Sequence, residues 1–378
     1  MRRGENGLVK FINMFEDISN LEQLVKAYYQ ARRGKREKLR ICEYDFFLEN
    51  NLVKLKYLLQ TGNYLPAPYA HFTIYDPKTR KVSTPAFRDR VLQHSLVATI
   101  EPFFERRFVF DSYACREAKG THLGAQRVKK FLMAARCING GNKDIYVLQC
   151  DIQKYFQSIS WDILLSIISK TIHCNKTLDL ITKIVTTHED TNKKVTEVKV
   201  NLQLGLFAPA SPVEVPVVSI DKRMGLPIGN LTSQLFANIY LNELDHFVKE
   251  ELKERWYARY MDDFLIINPD KERLRLVREK IRIFLDQRLS LHLHPKKVTI
   301  KNVKEGVPFV GYRIFYDHKL VRDSTLIRMQ KKYRSKARLF KKGRISEEMM
   351  SQTQKSVYGH LKHANAHGLY AFMTNNTV

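Results

Sequence analysis

The stretch RYMDDFLIIN, residues 259–268, sets two aspartates side by side between an aromatic run and an apolar run. Neighbouring side chains on a strand point to opposite faces, so Asp262 and Asp263 serve one site only at a tight turn between two strands. WYAR before the pair and FLII after it have the aromatic and β-branched character of such strands, and Asn268-Pro269-Asp270 ends the second. The pattern predicts a β-hairpin with both carboxylates at its tip. An exposed Asp-Asp turn is the plain alternative, because aspartate favours turns through local hydrogen bonds.

Charge bears on that choice. The 378 residues include 64 Lys and Arg against 39 Asp and Glu, a net charge of +25. Such a surplus attracts a polyanion and releases its counterions, which makes nucleic acid or an acidic membrane the expected partner. No apolar run is long enough to span a bilayer, and MRRGENGLVKF lacks the apolar segment of a signal peptide. The expectation is a cytosolic protein. Cys42, Cys115, Cys137, Cys150 and Cys174 are scattered and contain no C-x-x-C pair, which argues against a disulfide framework and a zinc site. Hydrophobic residues make up 44% of the chain, enough for a large core divided among two or three subdomains.

There is no internal repeat. The clearest compositional break is residues 192–223, where alternating valines suggest a hairpin and a Pro-Ala-Ser run its loop; we read it as an insertion. Before it, SWDILLSIISKTIH predicts a helix capped by Ser160 with Asp162 in its first turn. After it, GLPIGNLTSQLFANIYLNELDHF predicts a loop followed by a helix capped by Thr232 or Ser233, with Phe236, Tyr240, Leu244 and Phe247 as one apolar stripe.

A further carboxylate stands in IYVLQCDIQKYF, where the apolar strand 145–150 delivers Asp151 to its C-terminal end. A strand-ending turn residue is the simple alternative. Bringing Asp151 to Asp262, with Asp263 nearby, would make an oxygen-rich site of the kind magnesium prefers. Two such ions can clamp the attacking and leaving oxygens of an in-line phosphoryl transfer, while bare carboxylates so close would repel. With the basic background, a polynucleotide becomes the expected substrate.

These residues resemble a known family. YMDD at 260–263 is similar to the signature of reverse transcriptases, and CDIQKYF at 150–156 to their first carboxylate motif. TRKVSTPAFRDRVLQHSL, SYACREAKGTH, LPIGNLTSQLFANIYLN, LHLHPKKVTI and PFVGYRIF follow in the family's order, and the resemblance covers residues 21–370. It implies an α+β right-hand polymerase: fingers, a palm with an antiparallel sheet flanked by helices, and a short helical thumb. The implied divisions are 1–90 for an N-terminal extension and fingers, 91–162 for the first palm part, 163–226 for further fingers with the insertion, 227–316 for the second palm part, and 317–378 for the thumb. Within the family, Ile228-Gly229-Asn230-Leu231-Thr232-Ser233-Gln234 resembles diversity-generating retroelement enzymes, as do YACREAKGTH and the terminal GHLKHANAHGLY. Those enzymes, bacterial or phage-encoded, copy a template-repeat RNA into cDNA with errors at adenines, and a small basic accessory protein forming a pentameric barrel is their usual partner. Intron, retron or phage-defence reverse transcriptases are the alternative within the chemistry; a silent RNA-binding scaffold is the alternative outside it.

The resemblance also implies roles. Asp151 and Asp262 would hold two Mg2+ ions, with Asp263 as the lesser ligand and the Ile152 carbonyl as an added oxygen. Phe156 matches the gate that excludes a ribose 2′-hydroxyl and so prefers deoxynucleoside triphosphates, a plain core aromatic being the alternative. Arg80, Lys81 and Arg88 match the triphosphate-binding cations of the fingers, with Arg80 and Arg88 favoured because guanidinium binds phosphate bidentately. Gly229 suits close approach of backbone to the templating base. Ile228 stands where faithful relatives carry Gln, and Gln234 where they carry Pro. Lys297 matches the lysine that protonates leaving pyrophosphate, with Lys296 competing for the role. Phe309, Val310, Gly311 and Tyr312 fall in the primer grip, or in an ordinary strand pair. The basic run from His318 to Arg344, with Asp323 as its one acid, matches a thumb that tracks an RNA/cDNA duplex. ARRGKREKLR near the N-terminus is a second candidate contact for template RNA, or a solvated loop. The short segment after the primer grip leads us to expect no ribonuclease H or endonuclease domain.

Overall fold

A computed structural model describes residues 14–75, 79–141, 143–187, 223–366 and 368–369. In chain order the elements are α1 (Met14–Ser19), α2 (Leu21–Arg32), α3 (Leu39–Phe46), α4 (Leu48–Gln60), β1 (Ala70–Ile74), β2 (Arg80–Thr84), α5 (Phe87–Glu105) and α6 (Thr121–Ile138). They continue with β3 (Tyr146–Asp151), α7 (Tyr155–Ser158), α8 (Trp161–Ser169), α9 (Asn175–Thr186) and α10 (Leu231–His246). A short π-helical turn follows at Phe247–Glu251, then β4 (Trp256–Tyr260), β5 (Asp263–Asn268), α11 (Lys271–Leu289), β6 (Thr299–Asn302), β7 (Val307–Phe309), β8 (Tyr312–Ile314), β9 (Lys319–Val321), α12 (Asp323–Lys341) and α13 (Glu347–Leu361).

The centre is an antiparallel sheet of order β4-β5-β3-β6. Its middle strands read as continuous apolar runs because both faces are covered. Leu148, Phe264 and Ile266 pack against α10 and α11 on one side, whereas Val147, Leu265 and Ile267 join α6 and the second sheet on the other. Helix α10 is accordingly buried almost all round, which corrects the expected single stripe; Phe247 lies beyond it, in the π-helical turn, and is only partly buried. The sheet and helices give the expected α+β right-hand polymerase architecture. Helices α1 to α5 and the exposed β1-β2 ribbon precede the central sheet in the chain, and α12 and α13 follow the second sheet, β7-β8-β9.

Two local expectations change. The α10 N-cap position is Asn230, not Thr232 or Ser233, which are buried inside the first turn. Asn230 makes no cap; its Nδ2 donates instead to the Tyr69 hydroxyl at 2.8 Å. The segment assigned wholly to the thumb begins with a strand, since β9 pairs with β8 and completes the sheet β7-β8-β9. The proposed hairpin at 192–223 lies outside the described residues apart from Arg223, whose guanidinium is 3.5 Å from Asp162. Ser160 does cap α8, accepting from the Ile163 amide at 3.5 Å, with Asp162 in the first turn.

Candidate active site

β4 and β5 form the predicted hairpin, with Met261 and Asp262 at its tip and Met261 in the left-handed region at φ 56°. Asp151 pairs with Asp263 across β3 and β5, and the Ile152 amide donates to the Asp262 carbonyl at 3.2 Å. The three aspartates therefore converge from two chain segments on one end of the sheet. Burial raises the Asp262 pKa, and the Asp151 charge adds to it. Asp263 is pushed up to about 7 by burial and by the charges of Asp151 and Asp262. Among the described residues no three His, Cys, Asp or Glu side chains already stand in a metal-binding array. The donor set is nevertheless all hard oxygen, and its crowded negative charge is what a divalent cation would relieve.

One cation is built in. Lys297 Nζ donates to Asp151 Oδ2 at 2.7 Å, and the loop that carries it is pinned by the His294 amide donating to the Asp151 carbonyl at 2.8 Å. Lys296 is exposed, with its amide, not its ammonium, engaged by His294. The geometry thus singles out Lys297 of the two lysines.

Other candidates lie at graded removes. Arg80 opens β2, and its positive charge reaches Asp262; Lys81 beside it is exposed. Arg88 is tied into the fingers instead, donating to the Leu65 carbonyl at 2.8 Å and to Asp89 at 3.1 Å, so its guanidinium serves packing here. Phe156, on α7, is half-buried against Tyr155 one step from the carboxylate strand. The Ile228 carbonyl accepts from the Ser83 amide at 2.9 Å, which fixes the loop to β2. Gly229 sits at φ 119°, and a Cβ there would come within 2.8 Å of the Ser83 carbonyl oxygen and Val82. The ribbon alone therefore excludes a side chain at 229. Gln234 is the fourth residue of α10 and lines a cleft shared with Gln23, Gln30, His94 and Glu101.

The primer-grip residues form the β7-β8 hairpin, with Val310 at φ 44° and Gly311 at φ 88° in a two-residue turn. Phe309 and Tyr312 are buried in the core beneath this turn. They pack there with residues of α12 and α13.

Sequence reasoning missed what holds the catalytic turn. Arg259 and Asp245 are both fully buried, and Arg259 Nη1 reaches the Met261 carbonyl and Asn238 Oδ1, each at 3.2 Å. The Tyr257 hydroxyl adds a 2.5 Å bond to Asp245. The available signal was a charged residue one place from the end of each of two largely apolar elements.

Residues 75–314 match the family described as reverse transcriptase (RNA-dependent DNA polymerase). Protein YkfC of Escherichia coli is 27% identical over 292 residues, covering 68% of this chain and 69% of that protein. Group II intron-encoded protein LtrA of Lactococcus lactis is 22% identical over 335 residues, covering 71% of this chain and 50% of its own length. Among solved structures, apo telomerase from Candida tropicalis is similar at a TM-score of 0.48 and 14% identity, over 84% of this chain and 56% of that one. The ordered carboxylate hairpin, the lysine beside it and the match over residues 75–314 lead to one conclusion: this chain belongs to the reverse transcriptase family.

Proposed function

We propose that the chain copies RNA into DNA for a diversity-generating retroelement. The observation that carries the polymerase reading is the meeting of Asp151, Asp262 and Asp263 at the end of the central sheet, with Lys297 on Asp151. Asp151 and Asp262, with Asp263 and the Ile152 carbonyl, would hold Mg2+, whose chemistry is to stabilise charge on the oxygens of an in-line displacement. Lys297 holds a proton within reach of a leaving pyrophosphate. Arg80 faces the triphosphate, and Phe156 crowds a ribose 2′-hydroxyl. α12, rich in Lys and Arg, would track the duplex.

The retroelement assignment rests on the loop sequence from Ile228 to Gln234. YkfC and LtrA favour the second reading, a group II intron-like enzyme without programmed errors. For a small basic accessory partner, a candidate surface among the described residues is a cleft of mixed charge, where Asp162, Glu243, Glu250 and Glu251 stand with Lys170, Lys280 and Arg288 around Phe247 and Phe284, whose rings stack at 4.2 Å. Co-purification that survives nuclease treatment supports direct contact, and complete loss supports an RNA bridge.

Primer extension on an RNA template tests the polymerase reading. Asp151→Ala and Asp262→Ala are expected to abolish magnesium-dependent extension while remaining folded; substantial activity in either overturns the assignment.

A further inference from the structure

Two segments that the catalytic reading leaves unused meet in space. SYACREAKGTH ends on His122, at the start of α6, and GHLKHANAHGLY carries His360, in the last turn of α13, and His363 just beyond. His122 stacks on His363 with ring centroids 3.8 Å apart and planes at 22°, and its ring lies 5.9 Å from that of His360. Tyr312 of β8 stacks on His360 at 4.7 Å and 11°. Past the rings, the Lys319 amide donates to Asn365 Oδ1 at 3.1 Å and the Asn365 amide to the Lys319 carbonyl at 2.8 Å. Four stacked rings and this pair of bonds fasten the end of α13 to α6 and to the second sheet.

The hydrogen bonds fix where the protons sit. The Tyr312 hydroxyl gives its one proton to the His360 carbonyl at 3.0 Å, so from His122 Nδ1, 2.9 Å away, it accepts. His122 is therefore the Nδ1–H tautomer, and a proton on its other nitrogen makes it an imidazolium. His360 Nε2 is buried without a partner beside the turn, where a Cβ on Gly311 would be 3.7 Å away. Lys319 of β9 stands 5.8 Å from the Tyr312 ring centroid. Arg328 of α12, with Lys332, Lys336 and Lys355, lines the adjoining space between α12 and α13, and no carboxylate does. Imidazolium charge placed here meets like charge from every side and finds no counterion.

We propose that the histidine stack is an acid-sensitive latch: neutral imidazoles hold the end of α13 and residues 362–366 against α6 and β8-β9, and protonation of His122 or His360 releases them. The inference stands apart from the polymerase reading. Burial, then His363 and Lys319, hold the His122 pKa below its ordinary value; burial, then His122, Arg328 and His363, do the same for His360. A released imidazole regains an ordinary pKa of about 6.5, so the latch is fully closed above that value and loses stability as pH falls below it. Between pH 7.5 and 5.5 the released state gains by up to about tenfold for each of the two histidines.

Hydrogen exchange of the full chain at both pH values, corrected for the intrinsic pH dependence of amide exchange, reads the opening of residues 357–366. The opening constant is expected to be several-fold or more higher at pH 5.5, while α10 in the central core keeps its protection. His122→Phe and His360→Phe each keep a ring to stack and take no proton, and each is expected to remove a large part of the increment, with circular dichroism at pH 7.5 showing that the variant is folded. His122→Asn, which keeps a donor beside the Tyr312 hydroxyl, replaces a ring variant that does not fold. An increment unchanged in the folded variants, or an equal loss of protection throughout α10, overturns the latch.

Discussion

Arg259 Nε and Nη2 reach the two carboxylate oxygens of Asp245 at 2.7 and 2.6 Å, beneath the turn that carries Asp262. With Nη1 on the Met261 carbonyl, one guanidinium joins α10 to the catalytic hairpin. Arg259→Ala leaves a buried carboxylate uncompensated, and a loss of about 3 to 5 kcal/mol is expected in denaturant unfolding. Arg259→Lys keeps the charge but not the fork; its folded fraction is expected to show a lower kcat with little change in KM for nucleotide.

The two adjacent lysines are expected to separate cleanly. General acid catalysis is worth roughly 10²- to 10⁴-fold, so Lys297→Ala should slow single-turnover extension within that range. Lys296→Ala should change it no more than about threefold. Equal losses in both variants would remove Lys297 from its role.

Asp263 yields a pH prediction. A carboxyl with a folded-state pKa of about 7 binds more protons folded than unfolded between its unfolded value, near 4, and 7. Its contribution to metal-free stability is therefore fully present below about pH 4 and is lost as pH rises through 7. Asp263→Asn removes the charge that disfavours folding. In a chelator it should raise Tm, with a larger gain at pH 8 than at pH 5; thermal melts at both values check this.

Ile228 lacks the donors and acceptor of a glutamine, and one neutral hydrogen bond is worth about 0.5 to 1.5 kcal/mol. Ile228→Gln is expected to lower errors opposite template adenines several-fold, and more than opposite other bases. Sequencing cDNA made on one template measures this, and an unchanged adenine error rate removes Ile228 from error control. Gln234, facing its separate cleft, is expected to contribute little to that effect.

The catalytic hairpin was legible because its strands are buried on both faces and write themselves as unbroken apolar runs around a polar tip. Asp151 was legible for the same reason. The start of α10 was not, since NLTS offers three capping residues within four positions and periodicity cannot choose among them. Asp245 and Arg259 read as ordinary charges until the fold removes both from water together. The burial of Phe309 and Tyr312 likewise depends on contacts across long sequence separations, which local pattern does not encode.

The bond between the Ser83 amide and the Ile228 carbonyl has a mechanical meaning. β1 and β2 project as an exposed ribbon bearing Arg80, and this bond rivets the ribbon to the loop that leads into α10. With no space for a side chain at Gly229, ribbon and loop form a single lever. Any swing that carries Arg80 toward the carboxylates must drag Ile228 with it or break the rivet, so under the roles proposed for these two residues, grasping the triphosphate and pressing on the nascent base pair would be one stroke.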